Sequence, residues 1–289
     1  MKTKRLTYAF KDFLQNGIGA DLVRLATIKN MCHALNIKFY ICNDDEWDHV
    51  PNNIKPRNWE YYFEPTIPVD INDEYPRINK SHLGLCLKTI VPASLNCSKF
   101  EYQSILLKEI YVPKQQYINR IKSHITTHLS ELEHNDYVAI HIRRGDKVSG
   151  PWKEGDAIHV EQYLLALRTY LDCHDKKPIT VYILSDANSV IHEIEKYVDE
   201  YKQYGITLIW DKTEIRRDGY VYKLYKSGYS DDDKIDEIFT FMKNIYILQS
   251  AVEIIGSRMS FFFITAELLR GIQGISLSNN QLYPVDFYD

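Results

Sequence analysis

Between residues 136 and 270, short apolar runs alternate with longer stretches of helical spacing, and this alternation leaves the chain few folds. Val138, Ile140 and Ile142 alternate with Ala139, His141 and Arg143, as in a buried strand. Further apolar runs occupy 179–184 and 206–210. Between them, residues 189–204 place Val190, Ile191, Ile194, Tyr197, Val198 and Tyr201 on one helical face. Helical stretches at 235–252 and 261–270 bracket residues 253–260. Strands and helices in turn predict a doubly wound α/β fold.

In such sheets ligands sit beyond the carboxyl ends of the strands, so the residues that follow each apolar run are the candidates for chemistry. After 138–142 come Arg143, Arg144, Gly145, Asp146 and Lys147. A guanidinium cannot lose its charge and offers a rigid fork of donors, which suits the paired oxygens of a diphosphate better than an ammonium does. Asp186 follows the run at 179–184 in the same way. The polar, tyrosine-rich stretch 211–233 reads as a mobile loop. Its last residues, Asp231, Asp232 and Asp233, favour the dipole of the helix they precede.

The N-terminal part reads as a βαβ unit. A strand at 6–10 leads through a turn holding Gly17 and Gly19 into a helix carrying Ala20, Leu22, Val23, Leu25, Ala26, Ile28, Met31, Ala34 and Leu35, and a strand at 37–42 follows. Asp44, Asp45 and Glu46 then end that strand in acids, an arrangement that can hold a cation. An acidic turn is preferred, because the arginines after 142 make a metal redundant for neutralising phosphate. Residues 47–80 hold five prolines among Trp47, Trp59, Tyr61, Tyr62 and Phe63. These rings either stack on a sugar or pack the loop onto its domain. Pro113 opens a helix with Tyr117, Ile118, Ile121, Ile125, Leu129 and Leu132 on one face. His124 and His128 stand one turn apart on it and read as surface histidines, since no third ligand follows. The expected division is an N-terminal α/β domain over 1–112, a connecting helix over 113–135, and a C-terminal Rossmann-like domain over 136–289.

With 289 residues the chain is long enough for two cores, and a net charge of −4 gives no footprint for nucleic acid. Five scattered cysteines form no Cys-x-x-Cys pair, which argues against a disulfide framework or a thiolate zinc site. Residues 1–13 carry no apolar run long enough for a signal peptide, and no segment approaches a membrane span. The expected setting is the cytoplasm, or the soluble catalytic part of a longer, anchored enzyme.

The segment 141–147, His-x-Arg-Arg-Gly-Asp-Lys, resembles the signature of the fucosyltransferase superfamily, in particular the α-1,6-fucosyltransferases and the rhizobial nodulation fucosyltransferases. The similarity extends over most of 136–270. It implies a GT-B-like α/β fold of two Rossmann-like domains facing a cleft, an inverting transfer, and no metal or other cofactor. The partners it implies are a sugar nucleotide, GDP-fucose, and a glycan acceptor. By that resemblance Arg143 binds the diphosphate, His141 lies near the base, and Ser260 caps a phosphate oxygen. The glycine turn at Gly17 and Gly19 reaches the diphosphate from the other domain. Arg144, Asp146, Lys147 and Asp186 complete the donor side, and the base required for inversion is sought in Glu154 and Asp156.

One position departs from the family. Where its helix carries an aspartate that reads guanine, this sequence has Asn244. Guanine presents two adjacent donors, whereas uracil presents a donor beside an acceptor, which an amide matches. A UDP-sugar such as UDP-xylose is therefore the alternative donor. A catalytically silent carbohydrate-binding domain is the alternative of another class.

Overall fold

The computed structural model describes residues 7–8, 17–34, 38–39, 41, 47, 49–54, 59–64, 97–133, 136–145, 148, 153, 156–174, 179–217 and 228–277. The chain divides into two compact units, one built on residues 1–117 and 222–239, the other on 118–221 and 240–283.

In the first unit, strand β1 (Thr7–Tyr8) pairs in parallel with β2 (Lys38–Phe39), and helix α1 (Ile18–Ala34) lies between them in sequence. This is the βαβ unit expected from the apolar spacing. α1 is buried on nearly every side and packs on α2 (Lys99–Ile110). The start of α2 is spelled out in the sequence. Ser98 and Glu101 form a capping box, in which the Glu101 N–H donates to Ser98 Oγ (3.2 Å) and the Ser98 N–H to Glu101 Oε2 (2.7 Å).

The aromatic segment proves to be core. Trp47, Trp59, Tyr62 and Phe63 are all buried, and the rings of Trp59 and Phe63 stack with centroids 4.0 Å apart. Rings sealed in this way have no face left for a sugar, so the packing reading holds for these four. Residues 65–96 lie outside the described residues, as do Asp44, Asp45 and Glu46.

The second unit is a parallel sheet of five strands: β3 (Tyr137–Ile142), β4 (Ile179–Ser185), β5 (Ile206–Ile209), β6 (Glu253–Ser257) and β7 (Ile275–Leu277), in the spatial order β5-β4-β3-β6-β7. All six residues of β3 are buried. Val138, Ile140 and Ile142 join a core with Val160, Leu164 and Leu167 of helix α4 (Val160–His174) and Val190 and Ile194 of α5 (Asn188–Ile194). On the opposite face the Tyr137 hydroxyl donates to the Ile247 carbonyl at 2.7 Å, and the His141 ring lies 4.9 Å from that of Phe262. Helices thus cover both faces, as a parallel sheet requires, and each buried branched side chain contributes about 1.5–3 kcal/mol.

The expected helix over 189–204 breaks into α5, a 3₁₀ turn (Glu195–Tyr197) and α6 (Val198–Gln203). The next helix, α7 (Asp231–Ser250), starts earlier than its apolar spacing suggests, so the aspartates form its first turn. Ser230 caps it by accepting from the Asp233 N–H at 3.1 Å. Asp231 accepts the backbone N–H groups of Asn52 (2.5 Å) and Asn53 (3.2 Å), which gives the first acid a packing role besides its favourable place at the dipole. The last helix, α8 (Phe261–Arg270), matches its expected bounds. Among the described residues no helix is long and apolar enough to cross a membrane.

Candidate functional site

The sheet order puts the topological switch point between β3 and β6. From β3 the chain winds outward to β4 and β5, then returns to lay β6 and β7 on the other side. A crevice opens beyond the carboxyl ends of two strands whose connections leave in opposite directions, and the residues that close those strands line it.

At the end of β3 the backbone turns at Gly145 with φ of 60°, in the left-handed region that favours glycine. Arg143 and Arg144 stand just before this turn. The Arg143 guanidinium pairs through Nη1 with Asp186 Oδ2, and the other carboxylate oxygen of Asp186 accepts the Arg144 N–H at 2.8 Å. Asp186 therefore clasps both the side chain and the backbone of the arginine turn. The two partners are 17% exposed each, so the pair is partly desolvated and still reachable.

Arg144, read from sequence as a donor-binding residue, directs its guanidinium into the protein instead. Nη1 donates to the Ile158 carbonyl (2.7 Å) and to the Arg143 carbonyl (3.2 Å), which fastens the segment before α4 to the end of β3. The Ser185 hydroxyl donates to the Ile142 carbonyl at 2.8 Å and ties the ends of β4 and β3 together.

At the end of β6, Gly256 lets the strand meet the next helix closely. A Cβ there would lie 2.2 Å from the Phe263 ring. The turn closes through the Ser260 N–H donating to the Ser257 carbonyl (3.0 Å), and Ser260 Oγ accepts from the Phe263 N–H (3.5 Å) as N-cap of α8. The N-terminus of α8 thus stands next to the strand carrying Arg143, with its partial positive charge toward the same strand ends.

His141 is buried one residue before the end of β3. Burial, reinforced by the positive charge of Arg143, pushes its pKa down to about 3, so the ring is neutral at ordinary pH. Its Nδ1 has no hydrogen-bond partner among the described residues.

A second polar cluster, unseen in the sequence, lies past the end of β5. Asp211 is 1% exposed rather than part of an open loop. Its Oδ2 pairs with Lys243 of α7 and with His124 Nε2 (2.7 Å), so His124 is not the surface histidine expected from helix α3 (Gln115–His128). Lys243 also donates to Glu214 Oε2 at 3.0 Å, and the Asn244 amide nitrogen to the same oxygen at 3.2 Å. Burial opposes the charge on Asp211, but Lys243 outweighs it and holds the carboxyl well below the usual range. The sequence signal available was a lysine at 243 inside an otherwise apolar helical stretch.

Of the remaining expected residues, Asp156 is exposed and pairs with Lys153 Nζ at 2.6 Å, which lowers its pKa. Asp146, Lys147 and Glu154 lie outside the described residues. In the first unit Gly17 opens α1, its carbonyl accepting from the N–H groups of Ala20 (2.9 Å) and Asp21 (3.2 Å), and Gly19 is buried in that first turn. No group of three His, Cys, Asp or Glu residues fit to hold a metal occurs among the described residues.

No protein-family model matches the sequence, and no curated protein is a significant match to it. Solved structures do match. NodZ α-1,6-fucosyltransferase soaked with GDP-fucose is similar over 92% of this chain and 93% of its own, at 14% identity and a TM-score of 0.50. A mutant Arabidopsis thaliana FUT1 in complex with GDP is similar over 94% of this chain and 69% of its own, at 10% identity and a TM-score of 0.51. The chain thus has the mixed α/β, GT-B-like fold of these proteins.

Proposed function

We propose that this protein is a metal-independent, inverting glycosyltransferase that moves L-fucose from GDP-fucose to a hydroxyl of a glycan acceptor. The observation that carries the reading is Arg143, clasped by Asp186 at the end of β3 and set beside the Ser260-capped helix start. The fold shared with NodZ and the plant FUT1, whose structures were obtained with GDP-fucose and GDP, supports a nucleotide-sugar donor.

In the reaction the acceptor oxygen attacks the anomeric carbon and the bond to the β-phosphate oxygen breaks, with its electron pair leaving on the diphosphate. Arg143 and the N-terminus of α8 stabilise that growing charge, the task given to a divalent cation in metal-dependent transferases. Asp186 is a positioning residue, since it fixes where the guanidinium points. A carboxylate of the loop after Gly145 takes the acceptor proton. Glu154 and Asp156 are the candidates, and Lys153 holds the Asp156 carboxyl below the usual carboxylate range.

The test is to incubate the protein with oligosaccharide acceptors and either GDP-fucose or UDP-xylose, with and without EDTA, and to follow acceptor mass and diphosphate release. Addition of one deoxyhexose from GDP-fucose, undiminished by EDTA, is expected. Release without acceptor consumption would make the protein a sugar-nucleotide hydrolase. Abolition by EDTA and rescue by Mn²⁺ would return the chemistry to Asp44 and Asp45. No turnover of either donor would leave a carbohydrate-binding domain.

A further inference from the structure

An amide at position 244 could meet a base with either end, and the structure turns its nitrogen toward Glu214. The Asn244 amide nitrogen donates to Glu214 Oε2 at 3.2 Å. A carboxylate oxygen can only accept, so the nitrogen and not the oxygen must face it, and the orientation of the amide is fixed. Asn244 is 7% exposed, and its Oδ1 is buried with no hydrogen-bond partner among the described residues. A buried acceptor left unmade is costly, which marks it as waiting for a donor from outside the chain.

Glu214 stands beside it. The two hydrogen bonds its carboxylate accepts, from Lys243 and Asn244, both fall on Oε2, which leaves Oε1 open. Lys243, itself anchored by its second bond to Asp211, holds this carboxylate in place. One turn before Asn244 on α7, the Phe241 ring meets the partly exposed ring of Phe262 edge-on at 5.4 Å, and Phe262 lies 4.9 Å from His141, two residues before Arg143. Ring contacts thus link α7 to the strand that carries the arginine, and of these rings Phe262 is the one partly exposed.

We infer that Glu214 and Asn244 together form a two-acceptor edge that reads a base with adjacent N–H donors, guanine, while Phe262 supplies the face on which the ring stacks. This rests on the nucleotide-sugar reading above and deepens it. Guanine presents N1–H and the N2 amine side by side, one for each oxygen. Uracil flanks its single N–H with two carbonyls, and these would face lone pairs. Hypoxanthine keeps N1–H and lacks the amine, so it satisfies half of the edge. The carboxylate missing at position 244 is replaced from a different part of the chain, the segment after β5.

Calorimetry on the full chain with GDP, IDP and UDP tests this. GDP should bind at least tenfold more tightly than IDP, and UDP most weakly, since each unmet buried group costs a factor of about ten. Asn244→Asp separates this edge from a lone carboxylate reader. It removes the N–H that bridges to Glu214 and sets two carboxylates together, so GDP affinity should fall, whereas a lone reader would bind GDP more tightly after the same change. Asn244→Ala, checked for an unchanged melting curve, should lower GDP affinity at least tenfold and leave UDP affinity unaltered. Equal binding of GDP and IDP, tighter binding of UDP, or a gain for GDP in Asn244→Asp overturns the edge and leaves the nucleotide-sugar reading standing. Failure of the folded protein to bind any of the three overturns both.

Discussion

Two charge clusters close the carboxyl edge of one sheet, and they are built on opposite terms. At the end of β3, Arg143 and Asp186 are both partly exposed and hold each other at the protein surface. Past the end of β5, Lys243, Asp211 and Glu214 are nearly sealed, their side chains 2%, 0% and 6% exposed. Charges in the first place are priced by water and can be lent to a ligand. Those in the second hold one another, because a buried charge without its partner is costly, and Glu214 keeps Oε1 outside those bonds. The first cluster is therefore suited to phosphate, and the second to holding a neutral amide at a fixed angle.

The contrast is tested most strongly at Lys243. Lys243→Ala should cost about 3–5 kcal/mol in urea unfolding, because Asp211 and Glu214 lose their shared counter-charge in a dry site. A loss below about 1 kcal/mol would mean that water reaches the cluster and that the two sites do not differ. Arg143→Ala should do the reverse. Transfer should fall by roughly 10²–10³, the value of one well-placed donor, with the unfolding midpoint little changed. Arg143→Lys should recover little of it, since an ammonium cannot span both Asp186 and a phosphate. Near-normal turnover in the lysine variant would remove Arg143 from the reaction.

A smaller effect separates the neutral His141 from the ionised clusters. Its folded pKa of about 3 lies below the unfolded value near 6.5, so the unfolded chain takes up the proton first as pH falls. Its contribution is complete above about pH 6.5 and is lost from there down towards pH 3. At pH 5 the loss amounts to about 2 kcal/mol. His141→Gln should shrink the stability difference between pH 7 and pH 5 by that amount. An unchanged difference would show that the ring is protonated in the folded state.

The legibility of the two clusters differs as much as their chemistry. Arg143 announces itself because an apolar alternation and a glycine turn enclose it within ten residues, and strand polarity alone says which end it occupies. The β5 cluster draws on His124, Asp211, Glu214, Lys243 and Asn244, which come from a helix, a loop and another helix. No local spacing joins them, so His124 read as surface and Asp211 as loop. Helix α4 was missed for a lesser reason: Val160, Tyr163, Leu164, Leu167 and Leu171 do carry its period. The short edge strand β7, only partly buried along its length, offers no such pattern.

By itself, the sequence determined the α/β class, the central strand, the bounds of the last helix and the place of Arg143. All of these follow from periods and turns that the backbone enforces within one element. Only the tertiary structure decided that Asp186 orients Arg143, that Arg144 serves the fold, and that Asn244 faces Glu214 with its nitrogen. Hydrogen-bond partners are chosen by which groups share a desolvated space, and that space is created when distant segments pack.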